Sequence, residues 1–256
     1  MRLAQRDGVT AIARRFSQAP FGPAHLTFPD GSGIPEIQIT NPGGGTLGGD
    51  HLDLEVVAEA HCRATVATQA ATKVYRGPLA VQRAELRLAP NAFLEYLPHH
   101  VIPYASSNYR QKTTVDLAAS ATLIAWEPVS AGRLALGERF AFSTLSTRLR
   151  VVRDGILAAV DGCELVQGEE PFGGYSYTAT VFVVAPRDLR RLADELHAFL
   201  TTLPLYASAS APADGLVAAR ILAGNAPALY RALNGSRAIA RAELGLPLPP
   251  RSVNGQ

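Results

Sequence analysis

Chemistry in this chain starts at Asn41-Pro-Gly-Gly-Gly-Thr-Leu-Gly-Gly-Asp50, where five glycines fill the seven positions Gly43 to Gly49 and an acid follows at once. Glycine takes backbone angles closed to other residues and lets a chain or ligand approach the main chain. A phosphate cradle is the first chemistry to test. A P-loop needs Lys-Ser/Thr after its last glycine and then a helix whose N-terminus meets the phosphate. Here Gly49 is followed by Asp50-His51 and then by the alternating Leu52-Asp-Leu-Glu-Val56. An acid repels phosphate at that place, and the dinucleotide fingerprint also has to open a helix. The spacing alone supports a tight, irregular turn between two strands, Gly43, Gly44, Gly45, Gly48 and Gly49 shaping it and Asp50 standing at its exit.

Other constellations are weaker. Thr68-Gln-Ala-Ala-Thr-Lys-Val-Tyr-Arg76 gathers hydroxyl, amide, ammonium, phenol and guanidinium groups. Lys73 and Arg76 suit an anion, and with the Gly43–Asp50 turn they would make a pocket for a stand-alone small-ligand-binding enzyme. The plainer reading is a strand end before the Gly77-Pro78 turn. Leu94-Glu-Tyr-Leu-Pro-His-His100 sets Glu95 near two histidines. Those groups can handle a metal, or they are a strand ending at Pro98 with solvated histidines, which the segment alone favours. His61 and Cys62 are adjacent, and on a strand adjacent side chains point to opposite faces. They read as an exposed histidine beside a small buried cysteine. Asp161, Glu164, Glu169 and Glu170 read as a solvated acidic loop. The chain has no His-x-x-x-His, Cys-x-x-Cys or Gly-x-Ser-x-Gly spacing.

The elements that must position these groups are mostly strands. From Ile34 to about Ala185, apolar and polar residues alternate in short runs: Leu52–Val56, Ala64–Thr68, Ala84–Leu88, Ala92–Leu97, Tyr109–Leu117, Thr122–Val129 and Glu138–Val152. Asp154-Gly155 is the best hairpin turn, between Arg150–Arg153 and Ile156–Val160. Short strands with turn residues between them predict an antiparallel β architecture, with no internal repeat at a fixed period. Residues 1–33 predict one or two irregular strands with some mobility. Helical spacing appears at 188–203, through Leu189, Leu192, Leu196 and Leu200, and again at 226–244, where Gly235 is a possible kink. Between them lies a flexible Ala/Ser/Pro stretch, 207–213, and a strand at 216–222. The tail from Pro247 to Pro250 and onward reads as extended and frayed. The expected fold is mainly β, with stacked antiparallel or mixed sheets and a small helical part near the C-terminus. A single domain is expected over 1–256, its β-rich core at about 34–185.

A net charge of +2 over 256 residues is too small to imply nucleic acid or an anionic membrane as partner. Two cysteines make no disulfide framework. No apolar h-region opens the chain and no apolar run reaches a membrane span, so a soluble, cytoplasmic protein is expected.

Several of these stretches, in this order, resemble the urease accessory protein family UreD, also called UreH: Pro42–Asp50, Thr68–Arg76, Leu94–Pro98 and Ile102-Pro-Tyr104. Arg110-Gln111, Glu127, Gly132-Arg133, Gly137-Glu138 and the tail Leu244–Arg251 add to the likeness. It is dense over 40–140, returns at 215–251, and is loose over 1–33 and 155–210. The resemblance implies a β-rich, non-enzymatic scaffold that acts with UreF and the GTPase UreG to insert nickel into apo-urease, UreE supplying the ion indirectly. It implies no tightly bound cofactor, only nickel in transit through an internal, water-filled passage. Asp50 matches the acid after the glycine turn and is expected at or near that passage. Thr72, Lys73 and Tyr75 match the second motif and Glu95 the third, either shaping the cavity wall or touching the ion.

Overall fold

Alternating side chains give a strand two different faces, and this chain uses that property to bury one core between two sheets and a second beneath helices. The computed structural model describes residues 1–29 and 32–249. The chain opens with a hairpin, β1 (Arg2–Arg6) and β2 (Val9–Arg14), followed by β3 (His25–Thr27) and β4 (Glu36–Ile39). The winding part comprises β5 (His51–Ala58), β6 (Arg63–Thr68), β7 (Thr72–Val74), β8 (Ala80–Leu88), β9 (Phe93–Leu97), β10 (Val101–Pro103), β11 (Asn108–Leu117) and β12 (Thr122–Ser130). Then come β13 (Thr144–Arg153), β14 (Ile156–Val166), β15 (Tyr177–Val184), α1 (Arg190–Thr201), β16 (Tyr206–Ala213), β17 (Leu216–Ala223) and α2 (Ala226–Glu243).

The first sheet runs β14-β13-β11-β8-β5-β1-β2, and the second β16-β17-β15-β12-β9-β6-β4-β3, with β7 and β10 appended beside β12. The expected antiparallel order holds only at the margins. In the middle, β5, β8, β11 and β13 are parallel, and so are β4, β6, β9 and β12. Parallel neighbours need a long crossover, usually a helix. Here the crossover is a strand of the opposite sheet, because the chain passes alternately from one sheet to the other and back. Alternation along single strands cannot reveal this, since parallel and antiparallel strands with one wet face share the same pattern.

The winding also produces a repeat that the sequence hid. Glu59–Cys62, Ala89–Ala92 and Ala118–Ala121 are equivalent four-residue corners. In each, the last N–H donates to the first carbonyl, at 3.1, 3.1 and 2.9 Å. Cys62, Ala92 and Ala121 are all buried. Their side chains differ and the return half of each coil varies in length, so no sequence period shows. His61 and Cys62 thus lie in a corner, not on a strand. The expected burial of the cysteine and exposure of the histidine nevertheless hold.

Between the sheets packs a cluster including Leu3, Val56, Val66, Leu86, Leu94, Leu117, Leu123 and Val151. Each such side chain contributes about 1.5–3 kcal/mol when fully buried. The outer face of the second sheet carries α1 and α2 over Phe93, Ile124, Trp126 and Val183. The helix faces therefore close a core. Asn225 caps α2 by accepting from the Ala228 N–H at 2.9 Å. Gly235 does not kink α2, which runs unbroken; a Cβ there would stand 2.1 Å from the Phe199 ring of α1. The glycine serves helix approach.

Other boundaries shift. Residues 138–143 are loop, not strand, and follow a 3-10 turn at Leu134–Leu136. The Asp154-Gly155 hairpin is present with φ of 51° and 76° at its two turn residues. Its second strand continues to Val166, so Asp161 and Glu164 sit on β14 instead of in an acidic loop. Residues 206–213 form edge strand β16, where a flexible stretch was expected. The start of the chain is a hairpin with a register shift between Arg2 and Leu3, followed by β3. Pro250 and Arg251 of the tail motif lie outside the described residues.

Candidate functional site

Where the chain returns from the second sheet to the first, its connections are long, and they stack. They span 40–50, 69–79, 98–107 and 131–143, and they contain most of the motifs singled out above. Thr46 bridges Val74, β7 pairs with β10 through Thr72↔Val101, and Arg76 bridges Ser107. The glycines are explained by contact. A Cβ at Gly45 would stand 2.6 Å from the Tyr75 ring, and one at Gly48 would stand 2.6 Å from Gly77 Cα. Tyr75 packs edge-on against Tyr104 at 5.1 Å, and the Arg133 guanidinium lies 4.3 Å over the Tyr104 ring. Arg133 pairs with Glu138, whose carboxylate accepts from the Ala105 N–H at 3.0 Å. One interlocked end of the molecule results.

Asp50 first serves its own turn. Its carboxylate accepts from the Leu47 N–H at 2.8 Å, and its N–H donates to the Leu47 carbonyl at 3.1 Å. Lys73 and Arg76 are exposed. A cavity of about 140 Å³ opens beneath the loops, lined by Gly44, Gly45, Thr72, Lys73, Gln82 and Tyr96. Asp50 stands beside this end of the molecule without lining the cavity.

Glu95 lies elsewhere. On β9, Leu94 and Tyr96 face the space between the sheets, while Phe93, Glu95 and Leu97 face the helices. Its carboxylate is fully buried and holds Arg237 and Arg241 of α2 at 2.5–3.0 Å, with the Thr65 hydroxyl donating at 2.6 Å. Burial opposes its charge, but Arg241 and Arg237 outweigh that and hold its pKa low. Glu95 ties α2 to the second sheet and faces away from the space between the sheets. The two histidines beyond it are half-buried against α2, not solvated.

What runs between the sheets is a line of polar groups in an apolar core. Tyr109 donates to Gln82 Oε1 at 3.0 Å. Tyr109 Oη lies 3.4 Å from Gln111, which donates to Glu127 Oε1 at 2.9 Å, and Thr113 also donates to Glu127. Glu127 borders a second cavity of about 490 Å³, with Thr147, Asp161, Cys163, Ser208 and Arg220 also in its wall. Asp161 pairs with Arg220 at 2.7 Å, joining β14 to β17 across the two sheets. Burial pushes Glu127 up to about 7, the Thr113 and Gln111 donors pull against this, and Asp161 adds repulsion. The Cys163 thiol is also raised, chiefly by burial. The line thus connects the small cavity under the glycine turn with the larger one at the far rim. Among the described residues no three His, Cys, Asp or Glu side chains are grouped to hold a metal ion.

This line follows no motif spacing, although the sequence carries a signal for it. Gln111 and Thr113 share the inward phase of Tyr109, Val115 and Leu117, and Glu127 shares that of Leu123 and Ala125. A polar residue in the buried phase must find a partner inside the protein.

A family model described as UreD urease accessory protein matches residues 1–254. The chain belongs to the UreD family. A relative from Azorhizobium caulinodans is 34% identical, with 95% of this chain and 93% of the relative covered. One from Mycolicibacterium gilvum is 32% identical over 94% and 90%. A third, from Cenarchaeum symbiosum, is 28% identical over 92% and 87%. All three are named urease accessory protein UreD. Among the described residues no helix is long and apolar enough to cross a membrane.

Proposed function

We propose that this UreD-family chain is a non-catalytic scaffold of urease maturation, working in the cytoplasm with UreF and the GTPase UreG, and that nickel bound for apo-urease crosses it between the two sheets. UreE stands upstream as the nickel donor. The observation that carries the reading is the polar line Gln82–Tyr109–Gln111–Glu127, which joins two cavities through a core built mainly of apolar side chains. A route for an ion must offer donors at every stage yet release the ion at each. Single oxygen donors in series meet that need better than a closed Cys/His cage, which holds a borderline metal tightly. Glu127, charged in part near neutral pH, is the strongest donor on the route. The Arg220–Asp161 pair stands at the rim of the larger cavity, and the loops around Asp50 and Lys73 form the other end.

The test is co-expression of this chain with the urease subunits, UreF and UreG, followed by co-purification and measurement of nickel per urease. A stable complex with GTP-dependent loading that vanishes without this chain is expected. Free elution, with equal loading in its absence, contradicts the reading.

A further inference from the structure

The corner after β9 is pinned to α2 by a single phenol. Tyr230 Oη lies 2.8 Å from His99 Nδ1, 2.8 Å from His100 Nδ1 and 3.2 Å from the His100 N–H. The main chain there is clamped on both sides: the His99 N–H donates to Thr68 Oγ1 at 2.8 Å, and the His100 carbonyl accepts from the Thr72 N–H at 3.0 Å. Tyr177 packs edge-on against the His100 ring at 5.4 Å. All three groups are half-buried on the helix side of the second sheet.

We propose that His99, His100 and Tyr230 form a binding site for one divalent transition-metal ion of borderline softness, the class to which nickel and zinc belong. Two imidazole nitrogens each lie 2.8 Å from the same phenolic oxygen, and imidazole is a ligand that suits such ions. Metal–donor bonds of about 2.1 Å place neighbouring octahedral donors about 3.0 Å apart. The two 2.8 Å nitrogen–oxygen contacts are within a few tenths of an ångström of that spacing, and the rings have to turn so that each Nδ1 faces the ion instead of the phenol.

Proton positions make the exchange specific. The phenol has one proton and donates it to one Nδ1. The other Nδ1 carries its own proton and donates to the phenol oxygen, so the two rings are in opposite tautomers. On metal binding both rings carry their proton on Nε2 and the phenol becomes a phenolate. Three shared protons become two, and one leaves to water per ion bound. The site does not depend on the passage between the sheets, from which it is separated by the second sheet itself.

Equilibrium dialysis of the purified full chain against Ni²⁺ and Zn²⁺ tests this. Wild type is compared with His100→Gln, which keeps a polar partner for the phenol, with Tyr230→Phe, and with Asp194→Asn, a change at an exposed position of α1. We expect affinity at one site to fall roughly tenfold or more in the first two variants and to persist in the third, with one proton released per ion in wild type. Unchanged binding in folded His100→Gln and Tyr230→Phe overturns the proposal. If those variants do not fold, histidine ¹⁵N spectra of wild type decide. Shifts at two Nδ1 resonances on adding Zn²⁺ support the site, and their absence rejects it.

Discussion

At the scale of single residues, Glu127 is the most consequential group. A glutamate in the unfolded chain titrates near 4.5, and in the fold this one is raised to about 7 by burial. The folded state holds the proton more tightly, so its stabilising contribution is complete below about 4.5 and is lost as pH rises through 7. A gap of about 2.5 pH units corresponds to about 3 kcal/mol at most. Urea unfolding of wild type and Glu127→Gln across pH 4.5–8 should therefore show wild type losing stability relative to the variant as pH rises. A pH-independent difference contradicts the assignment. Asp50 makes a smaller claim on stability. Asp50→Ala removes the acceptor of the Leu47 N–H in a half-exposed turn, and thermal melts should report a loss of about 1 kcal/mol. A much larger loss would show that the turn is a core element and not a local one. Glu95 shows why residue type alone misleads: its acid, followed by two histidines in sequence, belongs by strand alternation to the helix-facing side and to two arginines 142 and 146 positions away.

At the scale of elements, the α1–α2 contact depends on an absent side chain. Gly235→Ala places a methyl group 2.1 Å from the Phe199 ring and should cost about 1–3 kcal/mol by overpacking, although alanine is the better helix former. Adding Phe199→Leu should return part of that loss. If Gly235→Ala instead stabilises the protein, the helices do not pack this closely. Strand existence was legible in the sequence wherever large apolar and charged residues alternate along a strand with one wet face. On β8, Arg83, Glu85 and Arg87 face water opposite buried Ala84, Leu86 and Leu88. Strand direction was not legible, since it is set by connections whose course through the other sheet leaves no local mark. β16 was missed because its small, polar Ala/Ser run resembles a linker and becomes a strand only by pairing with β17. The candidate site was legible in its surface half, where glycines and motif residues mark the stacked loops. Its interior half, Gln82 to Glu127, is spread over three strands and has no spacing to recognise.

At the scale of the whole molecule, one coil of chain puts four short-range motifs at a single end and runs a polar line from there to the far rim. Neither sheet alone would build it: Gln82, Gln111 and Thr113 come from the first and Glu127 from the second. The central claim, that nickel crosses between the sheets, is tested most directly by replacing wild type with Glu127→Gln in the co-expressed complex with urease, UreF and UreG. Nickel per urease is then measured beside the amount of complex recovered. Glutamine keeps an acceptor for Gln111 and Thr113 and removes the charge. The complex should assemble in normal amount, and nickel per urease should fall several-fold. Full nickel loading through an intact Glu127→Gln complex would show that the ion does not take this route.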